Sequence, residues 1–208
     1  MSVLTVKWLL ALTCVGHVLL WRCDWMITML SSGRFGAQLM KDNDKLAAVM
    51  GDTPLKKPMI SMVLGAFAMT AMFPGYLALC MWMHQYSSVC AVLMGIGCTL
   101  FVLPGIAHHV FCGAVEWFYL RLGKTEDARK AILEFFKGTS STMIVCYAGL
   151  LLFSVAVLIA VVGGMTPLPR WMGICNALPL FLVLNPFRIV GTGNVVNAVV
   201  ALGLALML

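Results

Sequence analysis

The sequence predicts an all-α integral membrane protein, a six-helix transmembrane bundle with one short amphipathic helix at the inner leaflet. Three observations support this fold class. Hydrophobic residues make up 62% of the chain and the mean hydropathy is +0.97, whereas soluble domains are about half apolar. The apolar residues fall into six long stretches. Ten of the fourteen Lys and Arg residues lie in only two of the gaps between those stretches.

Each apolar stretch is interpreted as a membrane span, since a helix needs about 20 apolar residues to cross a hydrocarbon core about 30 Å thick. The whole chain, residues 1–208, then forms one polytopic domain. The first stretch resembles a signal peptide, but its apolar run continues to Trp21 without a small-residue cleavage site, so we expect a retained span. The predicted spans are approximately residues 6–30, 59–83, 88–120, 139–162, 171–184 and 189–208.

Two of these spans depart from a simple straight helix. The third would be about 50 Å long at 1.5 Å per residue, so it must tilt, bend at Pro104-Gly105 or project into the cytoplasm. The fifth is short, and the sequence predicts that Pro179 breaks it and that Asn185-Pro186 ends it.

The segment between the third and fourth spans predicts a short amphipathic helix. Thr125 followed by two acidic residues is typical of a helix start, and Lys137-Gly138 is typical of a helix end. Apolar residues share one face of this helix, opposite its basic residues, so we expect it to lie on the inner leaflet. A regulatory or partner-binding role and a plain connector both remain open. The apolar face comprises Ile132, Leu133 and Phe136.

The distribution of basic residues predicts an orientation in the membrane. Five lie in the loop after the first span and five in the loop after the third. Only Lys7 and Arg170 fall on the other side. By the positive-inside rule, the long basic loops are cytoplasmic, both termini are outside, and the chain resides in the plasma membrane.

The net charge of +6 is attributed to these loops and to anionic lipid head groups rather than to nucleic acid. No basic groove interleaved with aromatic residues is present. The expected partners are the lipid bilayer and a small-molecule or lipid ligand, with a homo-oligomer left open. No cofactor is identified.

Polar residues within the spans concentrate at one depth, in the cytoplasmic half of the bundle. Charged and strongly polar side chains in membrane spans are costly and usually face a bundle interior or a water-filled cavity. The sequence therefore predicts a cytoplasm-facing polar cavity, against the alternative that these residues lie at the membrane interface. The candidate ligand-binding residues are Asp24, His108, His109, Asn194, Asn197 and Glu116.

Two further interpretations of these residues remain open. Arg22 lies close to Asp24 and is a candidate partner for its carboxylate. His108, Cys112 and Glu116 follow one another at intervals of four residues on one helical stripe, and their donor types suit zinc. The metalloprotease pattern of two His residues around a Glu is absent, so packing between helices is favoured over a metal site. The two histidines could instead relay a proton.

Four groups of residues, spread over most of the chain, carry a resemblance. They are Cys23-Asp24-Trp25-Met26, Lys57–Tyr76 with Gly65 and Pro74-Gly75, the run from Pro104 to Phe111, and the closing Trp171, Pro179, Gly191 and Asn194. In these residues the chain resembles an uncharacterised bacterial family of small multi-pass membrane proteins, a domain-of-unknown-function family. The resemblance implies a six-span helical fold and brings no known activity. It supports testing Asp24 and the two histidines.

Three functions follow as hypotheses. The first is a transporter or sensor that binds a small or lipid-like ligand in the cavity, because interrupted helices often border transporter sites. The second is an intramembrane enzyme that modifies a lipid or isoprenoid, with His108 or His109 as acid–base and Asp24 as orienting group or base. The third is an interaction subunit whose inner-leaflet helix docks a partner. Whether the chain is an enzyme is left open.

Overall fold

The computed structural model describes all 208 residues and is almost entirely helical. Three short 3-10 helices, Ala37–Lys41, Arg170–Cys175 and Asn185–Phe187, join its longer elements. The only strands are β1 (Met29–Leu30) and β2 (Gly33–Arg34), which form a small antiparallel hairpin. The helices are α1 Val3–Thr28, α2 Asn43–Met50, α3 Lys56–Met83, α4 Ser88–Arg121, α5 Glu126–Gly138, α6 Ser141–Val162, α7 Ala177–Leu184 and α8 Thr192–Met207.

Four helices are long and apolar enough to cross a membrane: α1, α3, α4 and the pair α5–α6 taken together over Glu126–Val162. The all-α prediction and the first four predicted spans agree with these elements. The last two predicted spans contain shorter helices. At 1.5 Å per residue, the eight residues of α7 extend about 12 Å and the sixteen of α8 about 24 Å.

The predicted break in the fifth span lies at Asn176 rather than at Pro179. The 3-10 helix ends at Cys175, and the side chain of Asn176 caps α7 by accepting a hydrogen bond from the Leu178 backbone N–H. Pro179 falls in the first turn of α7, where its missing N–H has no intrahelical partner to lose. Proline is therefore compatible with this helix, and the helix is interrupted three residues earlier, at Asn176.

The interrupted segment runs along α6 towards the β-hairpin. The Asn176 side-chain amide donates to the Ser154 carbonyl of α6 at 2.9 Å. At the other end of the segment, the Arg34 guanidinium donates to the Arg188 carbonyl at 3.0 Å. The segment 170–188 thus connects the C-terminal end of α6 with the end of the bundle where α1 meets the hairpin, and α8 then returns along α1.

The main hydrophobic core lies between α1, α3, α4 and α6, with α8 packed on α1. Two glycines allow α4 and α6 to approach backbone to backbone. A Cβ at Gly97 would lie 2.6 Å from the Phe153 backbone nitrogen, and one at Gly149 would lie 2.5 Å from the Phe101 backbone nitrogen. Small residues at such crossings are a common device of membrane helix packing.

A second, separate cluster, here called the cap, covers one end of the bundle. It contains Leu30, Met40, Leu46, Met50, Val115, Tyr119, Ala128 and Ile132. The helix α4 continues through Pro104 and its last turns enter the cap, so projection beyond the bundle accounts for its unusual length. The Tyr119 hydroxyl donates to the Asn43 side-chain oxygen at 2.9 Å, which ties α4 to α2.

The predicted amphipathic helix is present as α5. Thr125 precedes its first turn, and the Thr125 hydroxyl accepts a hydrogen bond from the Ala128 backbone N–H. Its apolar face differs from the prediction in one respect. Ile132 is buried in the cap, and Leu133 and Phe136 pack against the cap. The face predicted to rest on the inner leaflet is instead covered by the chain itself, because the 29–55 loop folds over it.

Candidate functional site

A cavity of about 380 Å³ lies between the ends of the helices nearest the cap. Side chains from α1, α3, α4, α6, α7 and α8 line it. The structure brings five of the six predicted ligand-binding residues together on its wall. They are Asp24, His108, His109, Asn194 and Asn197.

Asp24 and His109 form the centre of the polar wall. The Asp24 carboxylate lies 3.5 Å from Nδ1 of His109, and His109 is buried while Asp24 is 24% exposed. On its other side, Nε2 of His109 lies 3.0 Å from the Ser61 carbonyl oxygen. Each ring nitrogen therefore faces an acceptor, an arrangement in which a doubly protonated ring donates to both. A protonated His109 would neutralise Asp24 at this depth.

A chain of hydrogen bonds links Asp24 to the middle of the bundle. The Asn194 amide donates to the Asp24 carboxylate at 2.7 Å, and the Asn194 side-chain oxygen lies 2.9 Å from Nδ1 of His17. Nε2 of His17 lies 2.6 Å from the Tyr76 hydroxyl. Because the Asn194 oxygen can only accept, His17 donates from Nδ1 and accepts from Tyr76 at Nε2. All donors in the chain then point towards the Asp24 carboxylate, which stabilises its negative charge.

His17 and Tyr76 are the functional-site residues that sequence reasoning missed. His17 is completely buried, yet it lies within the apolar run of the first span and was interpreted as part of it. The sequence nevertheless contains a pattern that could have identified His17. Thr13, His17 and Asp24 are spaced by four and seven residues, which places them on one stripe of α1. Thr13 is also buried and donates to the Met72 carbonyl of α3.

The His108 side chain lines the cavity and makes weaker hydrogen-bond contacts than the His109 side chain. The His108 Nδ1 atom lies 3.5 Å from the Thr142 hydroxyl, at the limit of hydrogen-bond contact, and its Nε2 atom lies 3.5 Å from the Cys112 sulfur, a weak hydrogen-bonding partner. Asn197 donates to the Gly193 carbonyl within α8, which leaves its side-chain oxygen available. Among the predicted ligand-binding residues on the wall, these two side chains have the most free hydrogen-bonding capacity.

Glu116 does not line the cavity. It lies two turns beyond His109 on α4, next to the cap residue Val115, and is 1% exposed. Its Oε2 atom has no hydrogen-bond partner. No group of three His, Cys, Asp or Glu side chains is arranged to hold a metal ion, so the zinc interpretation of His108, Cys112 and Glu116 receives no geometric support.

Arg22 is not the partner of Asp24. Its guanidinium carbon lies 4.4 Å from the centre of the Trp25 ring, on the exposed side of α1. Residues two apart on a helix point in different directions, so Arg22 and Asp24 cannot share a face. The prediction of that pair was wrong, and the carboxylate is held by Asn194 and His109 instead.

No Lys or Arg side chain lines the cavity. Its only Asp, Glu or His side chains are those of Asp24, His108 and His109. The remaining wall includes the apolar residues Leu20, Phe101, Leu150 and Phe181. The cavity thus combines one polar corner with an apolar surround, which is the usual composition of a small-molecule site.

Comparison with known proteins places the chain in a family without assigning an activity. No curated protein and no solved structure matches it. A matching family model is described as a family of unknown function, DUF6796, and it covers residues 1–208. The whole chain therefore belongs to the DUF6796 family of unknown function.

Proposed function

We propose that this chain is a multi-pass membrane protein that binds a small or lipid-like ligand in the cavity beside Asp24, as a transporter or sensor. The observation that carries the proposal is the hydrogen-bond chain from Tyr76 to Asp24, which ends at the cavity wall. A buried polar network within apolar helices is costly unless it serves a site or fully satisfies itself. Here it holds a carboxylate that remains 24% exposed to the cavity.

Six crossings of the membrane remain part of this proposal. Four come from the long helices. The fifth would be made by the interrupted segment 170–188, which runs the length of α6, and the sixth by α8. Interrupted helices of this kind are tolerated in a bilayer where they border a cavity or are covered by protein. The family resemblance also implies a bacterial source.

The proposed orientation places the cavity on the cytoplasmic side of a plasma membrane. Ile27 and Thr28, at the end of α1 next to the first basic loop, line the cavity. The second basic loop follows α4 at the same end. The positive-inside rule puts both loops in the cytoplasm and both termini outside.

An intramembrane lipid-modifying enzyme is the second candidate, and one observation favours it. A buried histidine 3.5 Å from a carboxylate, next to a second histidine with free hydrogen-bonding capacity, provides a possible acid–base set. The interaction-subunit hypothesis is weakened, because Ile132 of α5 is buried in the cap and Leu133 and Phe136 pack against it. Self-association is left as a property to measure.

Native mass spectrometry of the protein purified in a mild detergent tests the proposal. We expect a bound mass on the wild-type chain, and a reduction of its occupancy by roughly tenfold or more, about 1.4 kcal/mol, in both Asp24→Asn and His108→Ala. Arg22→Gln is the matched control, because Arg22 lies two residues from Asp24 but faces away from the cavity. That control should retain the ligand.

The outcomes separate the candidate functions. A ligand-free mass for every chain, or equal occupancy in Asp24→Asn and wild type, would contradict binding at this site. Steady conversion of an added lipid extract to a product of different mass, abolished by both variants, would favour the enzyme. If both variants leave ligand occupancy and lipid conversion unchanged, the cavity proposal fails.

A further inference from the structure

An apolar groove adjoins the cavity and offers a second compartment to the same ligand. It has a volume of about 130 Å³ and is formed by α6, α7 and α8. Five residues line both compartments, so the two adjoin along these side chains: Tyr147, Leu150, Phe181, Gly193 and Asn197. The residues that line only the groove are Leu151, Ser154, Ala177, Leu178 and Val196.

The groove lies on the outer surface of the bundle, where lipid would surround it. Leu151 is 52% exposed and Phe181 is 39% exposed. Within α7, only Ala177 is buried, because this short helix packs mainly on α8 and touches α6 over a small area. The gap between α6 and α7 therefore connects the polar cavity sideways with the hydrocarbon region rather than only with water.

The chemistry of the polar corner restricts the head group of a ligand that occupies both compartments. A phosphate or carboxylate head would require cationic partners, and no Lys or Arg lines the cavity. His109 cannot serve, since its ring nitrogens already face Asp24 and the Ser61 carbonyl. The Asp24 carboxylate and the Asn197 side-chain oxygen accept hydrogen bonds, and the weakly hydrogen-bonded His108 ring can donate or accept. An uncharged head with hydroxyl groups matches this set.

We propose that the ligand is a single-chain amphiphile with an uncharged, hydroxyl-bearing head group, such as a monoacylglycerol. The head lies in the cavity beside Asp24, His108 and Asn197, and the hydrocarbon chain leaves between α6 and α7 through the groove. The inference rests on the proposed function and adds the ligand class and its route. Entry from the side, directly from one leaflet, follows from the same geometry.

Gly193 is the position at which the two compartments can be separated. It lines both, and a Cβ built on it meets no atom within 4 Å. Gly193→Leu should therefore fill the passage without disturbing the backbone. Gly203→Leu is the matched control, because Gly203 is also on α8, also has no atom within 4 Å of a built Cβ, and lines neither compartment.

The test uses a 1-monoacylglycerol with a diazirine at the end of its chain, added to the purified protein in nanodiscs and photoactivated. We expect peptide mapping to find adducts on α6 and α7, around Leu151 and Leu178. Labelling should fall at least tenfold in Gly193→Leu and Asp24→Asn, and remain within twofold of wild type in Gly203→Leu. Unlabelled monooleoylglycerol should compete at least tenfold better than a lysophosphatidic acid of the same chain length.

Thermal unfolding of each variant checks that it is folded. The competition experiment is independent of that check, because it uses only the wild-type chain. Equal groove labelling in Gly193→Leu and wild type, or better competition by the phosphate-headed lipid, would overturn the inference. If Asp24→Asn removes a co-purified ligand but the probe does not label the wild-type groove, the cavity stands and the amphiphile proposal falls. If Asp24→Asn changes neither result, both proposals fall.

Discussion

Gly149→Leu is expected to destabilise the protein by about 3 kcal/mol or more, because it forces apart two helices whose backbones touch. A Cβ at this position lies 2.5 Å from the Phe101 backbone nitrogen and 2.6 Å from the Leu100 carbonyl carbon. Backbone atoms cannot rotate away, so α4 and α6 must separate along the crossing, and overpacking in a fitted core typically costs 1–3 kcal/mol or more. For a chain of this size, the melting temperature should fall by roughly 6–12 °C.

Thermal unfolding in a fixed detergent provides the measurement, and Gly95→Leu is its control. Gly95 lies on α4, two residues before Gly97, and a Cβ built there meets nothing within 4 Å. The control should melt within about 2 °C of wild type, in line with surface substitutions of about ±0.5 kcal/mol. A control that melts as low as Gly149→Leu would show that leucine alone, rather than the helix crossing, causes the loss.

His17→Leu is expected to cost about 3–5 kcal/mol. The substitution keeps much of the side-chain volume but removes both ring nitrogens, which leaves the buried Tyr76 hydroxyl and the Asn194 side-chain oxygen without partners. Each unsatisfied buried polar group costs about 1–3 kcal/mol. Since Asn194 also holds Asp24, binding of the cavity ligand should weaken together with stability.

A double-mutant cycle with Tyr76→Phe checks this explanation. Tyr76→Phe removes only the hydroxyl that donates to His17. In the double variant no hydroxyl is left unpaired, so its loss of stability should be smaller than the sum of the two single losses by about 0.5–1.7 kcal/mol. Strict additivity, measured by unfolding in mixed micelles, would show that the two residues do not act as a pair.

Much of the helical fold could be predicted because the signals for it are local. Long apolar runs indicate α1, α3, α4 and α6, and the helix-starting residue Thr125 indicates where α5 begins. The cap and the β-hairpin could not be predicted, since they depend on how the 29–55 loop packs against the end of α4. The apolar face of α5 looked like a lipid-binding face for the same reason: periodicity shows that a face is apolar but not what covers it.

Five of the six predicted site residues line the cavity, but the position of Glu116 outside it, the roles of His17 and Tyr76 and the pairing of the side chains could not be predicted. Depth along the spans is a one-dimensional property, and it selected Asp24, His108, His109, Asn194 and Asn197 from the sequence. Which side chain meets which depends on helix rotation and neighbours. Sequence proximity therefore suggested Arg22 for Asp24, and it missed the contact with Asn194, which is 170 residues away. His17 was missed because one polar residue among apolar ones hardly changes a hydropathy average.

The link between the first and last helices also sets a condition on biosynthesis. His17 meets Asn194 across 177 residues of chain. At roughly 5–20 residues per second, a ribosome needs about 10–35 s to make that interval. Throughout this time α1 would stand in or beside the bilayer with His17 and Asp24 lacking their final amide partner, which is unfavourable in hydrocarbon. In the proposed membrane topology, the polar residues of the nascent first helix would therefore need to contact water, the insertion machinery or α3 until translation is nearly complete.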